Sequence, residues 1–296
     1  MQTPNGILPV DKPAGWTSFD VLAKLRGALG TRKLGHSGTL DPMATGVLAV
    51  FIGKATSAAD RQLDHDKTYE ATLRLGLRTD TGDVTGTTLE TAPVTVGEAE
   101  LRAVLPQFRG DRMQLPPMYS AVKINGQPLY KAARKGQTVE RTPRPITIYD
   151  IEYLVSPAPD EYTVRVACSK GTYIRSLCDD IGRTLGCGGV MSGLRRSMAA
   201  GFGLDNCVTL ENARELAAQN RLSERLLSTE AALTTYPCIT VTDAQAARFR
   251  HGGALDLERL REEITGITRI HAPDDSFIGL GEPENGQCRV RYLAEI

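Results

Sequence analysis

Apolar and polar residues alternate along residues 68–77, and this period predicts a half-buried strand. Unbroken apolar runs at residues 7–10 and 47–52 predict two buried strands. Between these runs, Thr17-Ser18-Phe19-Asp20 is a capping-box start, and apolar residues at helical spacing follow it, so we predict a helix that ends near Gly30. The same patterns predict strands near residues 146–155, 162–168, 276–280 and 288–292, and helices near 97–108, 128–136, 174–185, 209–217 and 244–251.

A tightly turning segment, residues 33–48, leads into the second apolar run. Its three glycines and one proline argue against a helix. Asp41 precedes Pro42, which pushes the Asp41 backbone toward extended geometry, so one carboxylate is held on a rigid loop beside His36. This carboxylate either performs chemistry or caps its own backbone in an Asx turn, and spacing alone leaves both interpretations open.

Composition narrows the class of protein. At 296 residues, 41% apolar and 24% charged, the chain can bury a full core and has room for one large and one small domain. No apolar run approaches the roughly 18 residues of a membrane span, and the first residues lack a signal-peptide pattern, so we expect a cytoplasmic protein. The six cysteines include no Cys-x-x-Cys pair, so no metal or redox centre is predicted.

Charge is unevenly distributed along a chain whose net charge is zero. Residues 109–144 contain eight Lys or Arg and two acidic residues, a net charge of +6. Such a segment can present a basic surface to phosphates even in a neutral protein, or it can be a solvated face without a partner.

The residue sequence of this turning segment resembles a motif of a known family. Gly35-His36-Ser37-Gly38-Thr39-Leu40-Asp41-Pro42-Met43-Ala44-Thr45-Gly46 closely resembles the catalytic motif of the TruB family, the bacterial tRNA pseudouridine-55 synthases. The resemblance implies that Asp41 is the catalytic residue and that His36 enters the RNA stem-loop.

Four further stretches resemble motifs of the same family, in the same order. Val10-Asp11-Lys12-Pro13-Ala14-Gly15-Trp16-Thr17-Ser18 resembles its N-terminal motif, and we place Lys12 near RNA. Lys67-Thr68-Tyr69-Glu70-Ala71 resembles the motif whose tyrosine packs on the flipped base. Gly171-Thr172-Tyr173-Ile174-Arg175 resembles the motif whose arginine pairs with the catalytic aspartate, and such a guanidinium would keep that carboxylate ionised. Gly193-Leu194-Arg195-Arg196-Ser197 resembles the late motif, in which the leucine packs in the uracil pocket and the arginines lie toward RNA; we assign Leu194 and Arg195 to these roles.

Two longer regions complete the resemblance. Residues 116–145 resemble the RNA-gripping insertion of the family, which implies RNA contacts for Lys123, Lys131, Arg134 and Lys135. Lys131, Arg134 and Lys135 are three and four residues apart, so they would share one face of the predicted helix. Residues 236–296 resemble, more weakly, the small PUA-type domain that follows a catalytic domain at residues 1–235.

Ordinary structural roles compete with several of these assignments. Tyr69 and Leu194 are also typical core residues, and Lys12 is also typical of a solvated turn. The resemblance implies an α+β fold, in which the catalytic domain has a mostly antiparallel central sheet with flanking helices and is followed by the PUA-like domain.

The implied activity is the isomerisation of a uridine in the T-loop of tRNA to pseudouridine. The base is flipped, its C1′–N1 bond is cleaved with the help of Asp41, and it is rejoined through C5, with no cofactor. The implied partner is the tRNA T-arm, bound by a monomer. Two alternatives stay open: a non-catalytic RNA-binding protein or tRNA-folding chaperone, and a two-carboxylate glycosidase, which needs a second acid in the cleft.

Overall fold

The computed structural model describes residues 4–61, 66–124 and 126–294. The α-helices are α1 Ser18–Leu29, α2 Glu98–Val104, α3 Leu129–Ala133, α4 Ile174–Thr184, α5 Leu210–Ala218 and α6 Asp243–Arg250. Short 3₁₀ helices span Gly53–Arg61, Leu105–Phe108, Leu204–Asn206, Leu222–Arg225, Thr229–Ala232 and Leu257–Arg259. The strands are β1 Gly6–Lys12, β2 Leu34–His36, β3 Thr45–Ile52, β4 Lys67–Leu75, β5 Leu77–Thr79, β6 Thr88–Thr91, β7 Gly110–Gln114, β8 Lys123–Ile124, β9 Gln127–Pro128, β10 Arg144–Ala158, β11 Glu161–Cys168, β12 Gly189–Ala199, β13 Phe202–Gly203, β14 Val208–Thr209, β15 Cys238–Thr240, β16 Leu255–Asp256, β17 Thr268–His271, β18 Phe277–Glu284 and β19 Gln287–Leu293.

A ten-stranded sheet forms the larger part of the molecule. Its strands lie in the order β14-β1-β3-β12-β4-β11-β10-β7, with β2 paired to β3 and β13 paired to β12. The pairs β1–β14 and β3–β12 are parallel, and the other pairings between described strands of this sheet are antiparallel. The predicted α+β fold with a mostly antiparallel central sheet is therefore confirmed.

The alternating strand β4 shows how the sequence pattern builds this sheet. Tyr69, Ala71, Leu73 and Leu75 are buried, as the alternation predicts. These residues pack with α4 in one cluster, in which Ile174, Leu177, Cys178 and Ile181 come from the helix. Apolar residues of α1 and α5 pack against β1 and β3 in a second cluster. The chemistry-bearing loop between β2 and β3 therefore has packed elements behind it.

A second sheet of five strands forms the C-terminal part, in the order β15-β17-β18-β19-β16. Helix α6 packs on it through Ala246 and Phe249 in a separate apolar cluster. This sheet and helix confirm the predicted small PUA-like unit. The predicted division after residue 235 falls just before β15 and stays a prediction. A joint cluster of Ala58, Leu233, Tyr236, Leu280 and Tyr292 connects the two parts.

Three predicted elements differ from the structure. The helix predicted at 128–136 ends at Ala133, and Gly136 has a φ of +69° that continues no helix. The strand predicted at 68–77 breaks at Gly76, because its φ is +79°, outside the range of a strand. Only glycine fits there, since a Cβ would lie 2.7 Å from the Val94 side chain. The helix predicted at 97–108 is α2 followed by a 3₁₀ turn that contains Pro106, which lacks the N–H that a continuing helix needs.

Candidate active site

Asp41 lies in the loop that joins the antiparallel strands β2 and β3. The loop is fixed from several sides: the Leu40 N–H donates to the Ser18 hydroxyl at 2.9 Å, and the Gly15 N–H donates to the Pro42 carbonyl at 2.8 Å. The Ala44 N–H donates to the Asp41 carbonyl at 3.1 Å and closes the turn. These bonds hold the loop backbone, so the Asp41 side chain is left to project from it.

The Asp41 carboxylate pairs with the Arg175 guanidinium, as predicted. Arg175 Nε lies 3.0 Å from Asp41 Oδ2, and Arg175 Nη2 donates to Asp41 Oδ1 at 3.4 Å, so the pair is two-pronged. Among the described residues, Arg175 is the hydrogen-bond partner of this carboxylate, and the alternative of an Asx turn is therefore wrong. The Asp41 side chain keeps 35% of its surface exposed, whereas the Arg175 side chain keeps 6%.

Arg175 is itself held by further partners. Nη1 donates to the Thr81 carbonyl at 2.9 Å, and Nη2 donates to the Tyr119 carbonyl at 2.8 Å. The Asp83 carboxylate lies 4.0 Å from Nε and is buried. Each nitrogen of the guanidinium thus donates to or faces a partner, and the Asp41 side chain is partly exposed. The fixed guanidinium orients a carboxylate that stays accessible to a substrate.

The first turn of α4 places Arg175 at this point. The side-chain amide of Gln114 receives the Tyr173 N–H at 2.8 Å and donates to the Tyr173 carbonyl at 3.0 Å. Gly82 has a φ of +76° and approaches the Arg175 backbone so closely that a Cβ on Gly82 would lie 3.3 Å from the Arg175 Cβ. Gln114 and Gly82 therefore fix where the helix begins and where its arginine points.

Tyr69 lies on β4 beside this loop and is 7% exposed. Its cluster includes Leu40 and Ala44 of the loop, and Met43 and Leu194 pack against that cluster. Burial raises the pKa of the Tyr69 phenol, while the positive charge of Arg196 acts in the opposite direction. The phenol is therefore neutral at ordinary pH, and Tyr69 and Leu194 together form an apolar wall next to Asp41.

His36 ends β2 and is partly buried. Its Nδ1 accepts a hydrogen bond from the Gly38 N–H at 3.2 Å. Burial and the charge of Arg196 both lower the pKa of His36, so the ring is neutral at physiological pH. In this state Nδ1 is the acceptor and Nε2 carries the proton.

The structure corrects the assignment of Lys12 to an RNA contact. Lys12 is 0% exposed, and its ammonium donates to the carbonyls of Pro13, Trp16 and Pro42 at 2.9, 2.6 and 3.2 Å. Burial lowers the pKa of this ammonium to about 8. Because its ammonium donates to these backbone carbonyls, Lys12 joins the N-terminal turn to the Asp41 loop and is not available to bind phosphate.

The two arginines of the late motif point in different directions. Arg195 keeps 39% of its side chain exposed and pairs with Asp11 at 2.8 Å. Arg196 is 1% exposed and donates to the Val47 carbonyl at 2.7 Å and the Gly38 carbonyl at 3.1 Å. The resemblance implied that both arginines lie toward RNA, and for the buried Arg196 this expectation is wrong. Successive side chains of a strand point to opposite faces, so a predicted β12 would have placed the two arginines on different faces. The glycines and arginines of this stretch gave no strand pattern.

The basic residues of the 116–145 segment lie on its surface. Lys123, Lys131, Arg134 and Lys135 are exposed, and none of them forms an ion pair with another described residue. Arg134 lies 5.4 Å from the Tyr130 ring centroid, and it caps α3 rather than continuing it. Tyr119 belongs to the same segment, so its carbonyl on Arg175 anchors the segment at the site.

The other polar groups near Asp41 weigh against a two-carboxylate glycosidase. Asp83 is the acid closest to Arg175 after Asp41, but it is buried, and its Oδ1 accepts bonds from Thr81 and Thr85. A buried carboxylate held in this way is poorly placed to act on a water or a leaving group, as the second acid of a glycosidase must. The described residues contain no group of three or more His, Cys, Asp or Glu that could hold a metal ion. None of the described helices is long and apolar enough to cross a membrane.

Curated proteins of the same length range resemble this chain along nearly all of it. The tRNA pseudouridine synthase B of Dechloromonas aromatica is 46% identical over 282 residues, which are 95% of this chain and 92% of that protein. The protein of the same name from Stutzerimonas stutzeri is 43% identical over 98% of this chain and 95% of its own length.

Solved structures share the fold. A chain in the crystal structure of a Cbf5-Nop10-Gar1 complex is 27% identical, has a TM-score of 0.77 and aligns with 100% of this chain and 85% of its own length. A chain of the archaeal box H/ACA sRNP Nop10-Cbf5 complex is 26% identical, with a TM-score of 0.74, over 98% of this chain and 86% of its own length.

Family models cover most of the chain. Residues 26–174 match the TruB family pseudouridylate synthase (N terminal domain), and residues 175–234 match the tRNA pseudouridylate synthase B C-terminal domain. Residues 237–293 match the model described as pseudouridine synthase II TruB, C-terminal. Together with the paired Asp41 and Arg175, these matches show that the chain belongs to the TruB family of pseudouridylate synthases.

Proposed function

We propose that this chain, an isomerase by its family, converts a uridine in the T-loop of tRNA into pseudouridine. The observation that carries the proposal is the two-pronged pair of Asp41 and Arg175, whose carboxylate is one-third exposed beside an apolar wall. The name that the curated relatives share supports tRNA as the substrate. The resemblance of residues 35–46 to the family's catalytic motif supports the T-loop.

The uridine must first leave its stack, because its glycosidic bond is inaccessible inside a folded loop. Unstacking costs a few kcal/mol, and a ring that fills the vacated space offsets part of this cost. His36 suits that place: it is partly exposed at the edge of the loop, and its neutral ring can stack without carrying a buried charge. The flipped base then lies against Tyr69 and Leu194.

Asp41 acts at C1′ of the flipped nucleotide by one of two routes. In the first, its oxygen forms a bond to C1′ while the C1′–N1 bond breaks and the electron pair leaves with uracil. In the second, uracil leaves by elimination across the sugar, and Asp41 takes the sugar proton. Uracil then rotates and its C5 bonds to C1′. In the first route the bond from C1′ to the Asp41 oxygen breaks as this bond forms, and in the second Asp41 returns the proton to the sugar, so Asp41 is restored in both. The C5 proton is then lost, and N1 gains a proton. Both routes use an anionic carboxylate held in a fixed direction, which Arg175 provides.

Tyr69 offers its ring face to uracil, and its hydroxyl is our candidate relay for the C5 proton. The neutral phenol suits a relay, since it accepts one proton as it passes on its own. Leu194 closes the apolar side of the pocket from β12. A detached uracil enclosed in this way has little room to diffuse away before it is rejoined.

The exposed lysines and arginine of the 116–145 segment would hold the RNA backbone. Lys123, Lys131, Arg134 and Lys135 are free of ion pairs with described residues, so their charges are available to phosphates. Arg195 lies nearer to the loop and is partly exposed. We propose that a monomer binds the T-arm through these groups, in the cytoplasm and without a cofactor.

The test uses T-arm RNA whose uridines carry tritium at C5. Rejoining through C5 replaces that hydrogen, so an isomerase releases tritium to water and leaves pseudouridine in an intact strand. The control is the same RNA with cytidine at the target position, which should release none. Binding without tritium release would identify an RNA-binding protein, and release of free uracil would identify a glycosidase; either result contradicts the proposal.

A further inference from the structure

Arg196 is buried under the proposed active site and bonded to the loop that carries it. Its Nε donates to the Val47 carbonyl at 2.7 Å, Nη2 to the Gly38 carbonyl at 3.1 Å, and Nη1 to the Thr39 carbonyl at 3.5 Å. These three acceptors lie on both sides of Asp41, two before it and one after it. The Arg196 side chain thus connects the segment before Asp41 to the strand after it.

The backbone of Arg196 is also tightly fixed. On one side it pairs in parallel with Gly46, where a Cβ would lie 2.2 Å from the Arg196 carbonyl oxygen. On the other side it lies opposite Tyr69 of β4. Arg196 of strand β12 therefore lies between Gly46, just after the loop that carries Asp41, and Tyr69 of the pocket. The close approach at Gly46 leaves the strand little freedom to shift.

The charge of Arg196 meets no carboxylate within ion-pair distance among the described residues. Its hydrogen-bond partners are backbone carbonyls and the Tyr69 side chain, which stabilise the guanidinium but leave its net charge in place. Burial is the main cause of the lowered pKa of His36, and the charge of Arg196 lowers it further; the same charge opposes the rise that burial causes in the pKa of Tyr69. A buried guanidinium whose planar fork meets several acceptors cannot be replaced by the point charge of a lysine.

We propose that Arg196 is a positioning residue of this site. Its guanidinium fork sets the direction of Asp41 by holding the Gly38–Thr39 turn to Val47, and its positive charge acts on the His36 ring and the Tyr69 phenol. The role goes beyond the packing of a core residue, because the fork and the charge act on different partners. The kinetic part of the proposal rests on the proposed isomerase activity, whereas the part that concerns His36 does not.

The experiment separates the fork from the charge with two variants. Arg196→Lys keeps the charge and loses the fork, and Arg196→Met loses both. The matched control is Arg269→Met, which removes a mostly buried guanidinium from the C-terminal sheet, where it donates to the Tyr236 carbonyl and pairs with Glu230. The readouts are kcat and KM for tritiated T-arm RNA, and the pKa of His36 from NMR of the imidazole.

We expect Arg196→Lys to lower kcat by about a hundredfold, because a small displacement of a reacting group has an effect of this size, while KM changes by less than about threefold. The His36 pKa should stay near that of the wild type. In Arg196→Met the His36 pKa should rise, since the positive charge that lowers it is gone. Arg269→Met should keep the kcat and the His36 pKa of the wild type.

The outcomes decide the proposal even if one variant fails to fold. A kcat of Arg196→Lys within about threefold of the wild type would overturn the role of the fork. An unchanged His36 pKa in folded Arg196→Met would overturn the role of the charge, and Arg196→Lys decides the role of the fork whether or not Arg196→Met folds. If the wild type itself forms no pseudouridine, the proposed function fails, but the His36 titration still reads the effect of Arg196.

Discussion

The cleft around Asp41 and the basic segment at residues 116–145 are built in opposite ways. In the cleft, Arg175 and Arg196 are nearly inaccessible to solvent, and each donates to several carbonyls or carboxylates. In the segment, the lysines are exposed and the local structure consists of a five-residue helix and a two-stranded hairpin. The first region can hold atoms to a fraction of an ångström, and the second can adapt its long side chains to a surface.

This difference assigns separate tasks to the two regions. Pre-organised groups lower the barrier of a reaction, whereas exposed cations add affinity that salt weakens. We therefore expect changes in the cleft to alter kcat and its pH dependence, and changes in the segment to alter affinity and its salt dependence. The two regions meet at the Tyr119 carbonyl, which belongs to the segment and accepts from Arg175.

The largest effect is expected for Asp41→Asn. The amide keeps the size of the side chain but cannot act as the anionic group at C1′, so kcat should fall by at least about 10³-fold. Affinity for T-arm RNA should stay within about threefold, since the exposed cations are unchanged. Single-turnover tritium release and a filter-binding titration measure the two quantities. A near-normal rate in this variant would remove Asp41 from the chemistry.

The next effect is expected for Arg175→Lys, which keeps the charge beside Asp41. A lysine carries its donors on a single nitrogen and lacks the planar fork with which Arg175 reaches Asp41 and the Thr81 and Tyr119 carbonyls from separate nitrogens, so the carboxylate loses its fixed direction. We expect kcat to fall by about a hundredfold. Arg183→Lys is the matched control on the same helix, because Arg183 is exposed and pairs with Asp179 one turn away. Equal rates in the two variants would show that charge suffices at Arg175.

A smaller effect, on affinity rather than rate, is expected for the triple change of Lys131, Arg134 and Lys135 to Ala. Removing one cation that binds a phosphate should reduce the slope of log K against log salt by about 0.7–0.9, so the triple variant should lower that slope by about 2–3. Binding should weaken most at low salt, and turnover at saturating RNA should stay close to that of the wild type.

The control for the triple variant removes the same charge from another surface. Lys24 of α1, Arg214 of α5 and Arg221 are exposed and lie outside the segment. Their joint change to Ala should leave the salt slope unchanged. Should both triple variants reduce the slope equally, the reduction would reflect total charge, and the segment would be a solvated face instead of a clamp.

The smallest effect is the pH response of the cleft through His36. Because the pKa of His36 is lowered, the ring should stay neutral down to below about pH 6.5 and keep Nδ1 as the acceptor of the Gly38 N–H. Protonation at lower pH would turn this acceptor into a donor, so kcat/KM should fall there. His36→Gln should lack this step. An NMR titration with a midpoint at or above the ordinary value would contradict the account.

The resemblance of short motifs to a known family predicted the site residues better than the pattern of apolar and polar residues predicted the strands and helices. The pair of Asp41 with Arg175, 134 positions apart in the chain, was predictable only through a resemblance, because no periodicity connects residues so distant. The burial of Tyr69 followed from the alternation of β4. In contrast, β12 was not predicted, since its Gly193 and two adjacent arginines hide the alternation that its central place in the sheet requires.

Lys12 and Arg196 show what a sequence does not reveal about charged residues. Both were read with the ordinary expectation that a lysine or arginine lies on the surface. Both are buried, because backbone carbonyls converge on them and replace water. Part of each carbonyl cluster comes from segments distant in sequence, Pro42 for Lys12 and Gly38 and Val47 for Arg196, so only the assembled fold shows it.

The most direct test measures kcat and the dissociation constant for one T-arm RNA in Asp41→Asn and in the Lys131, Arg134 and Lys135 triple variant, side by side with the wild type. We expect opposite deficits: Asp41→Asn should bind the RNA like the wild type and form no measurable pseudouridine, and the triple variant should bind weakly at low salt and turn over normally once saturated. If instead each variant loses rate and affinity together, chemistry and RNA binding are not divided between the cleft and the segment, and the account is wrong.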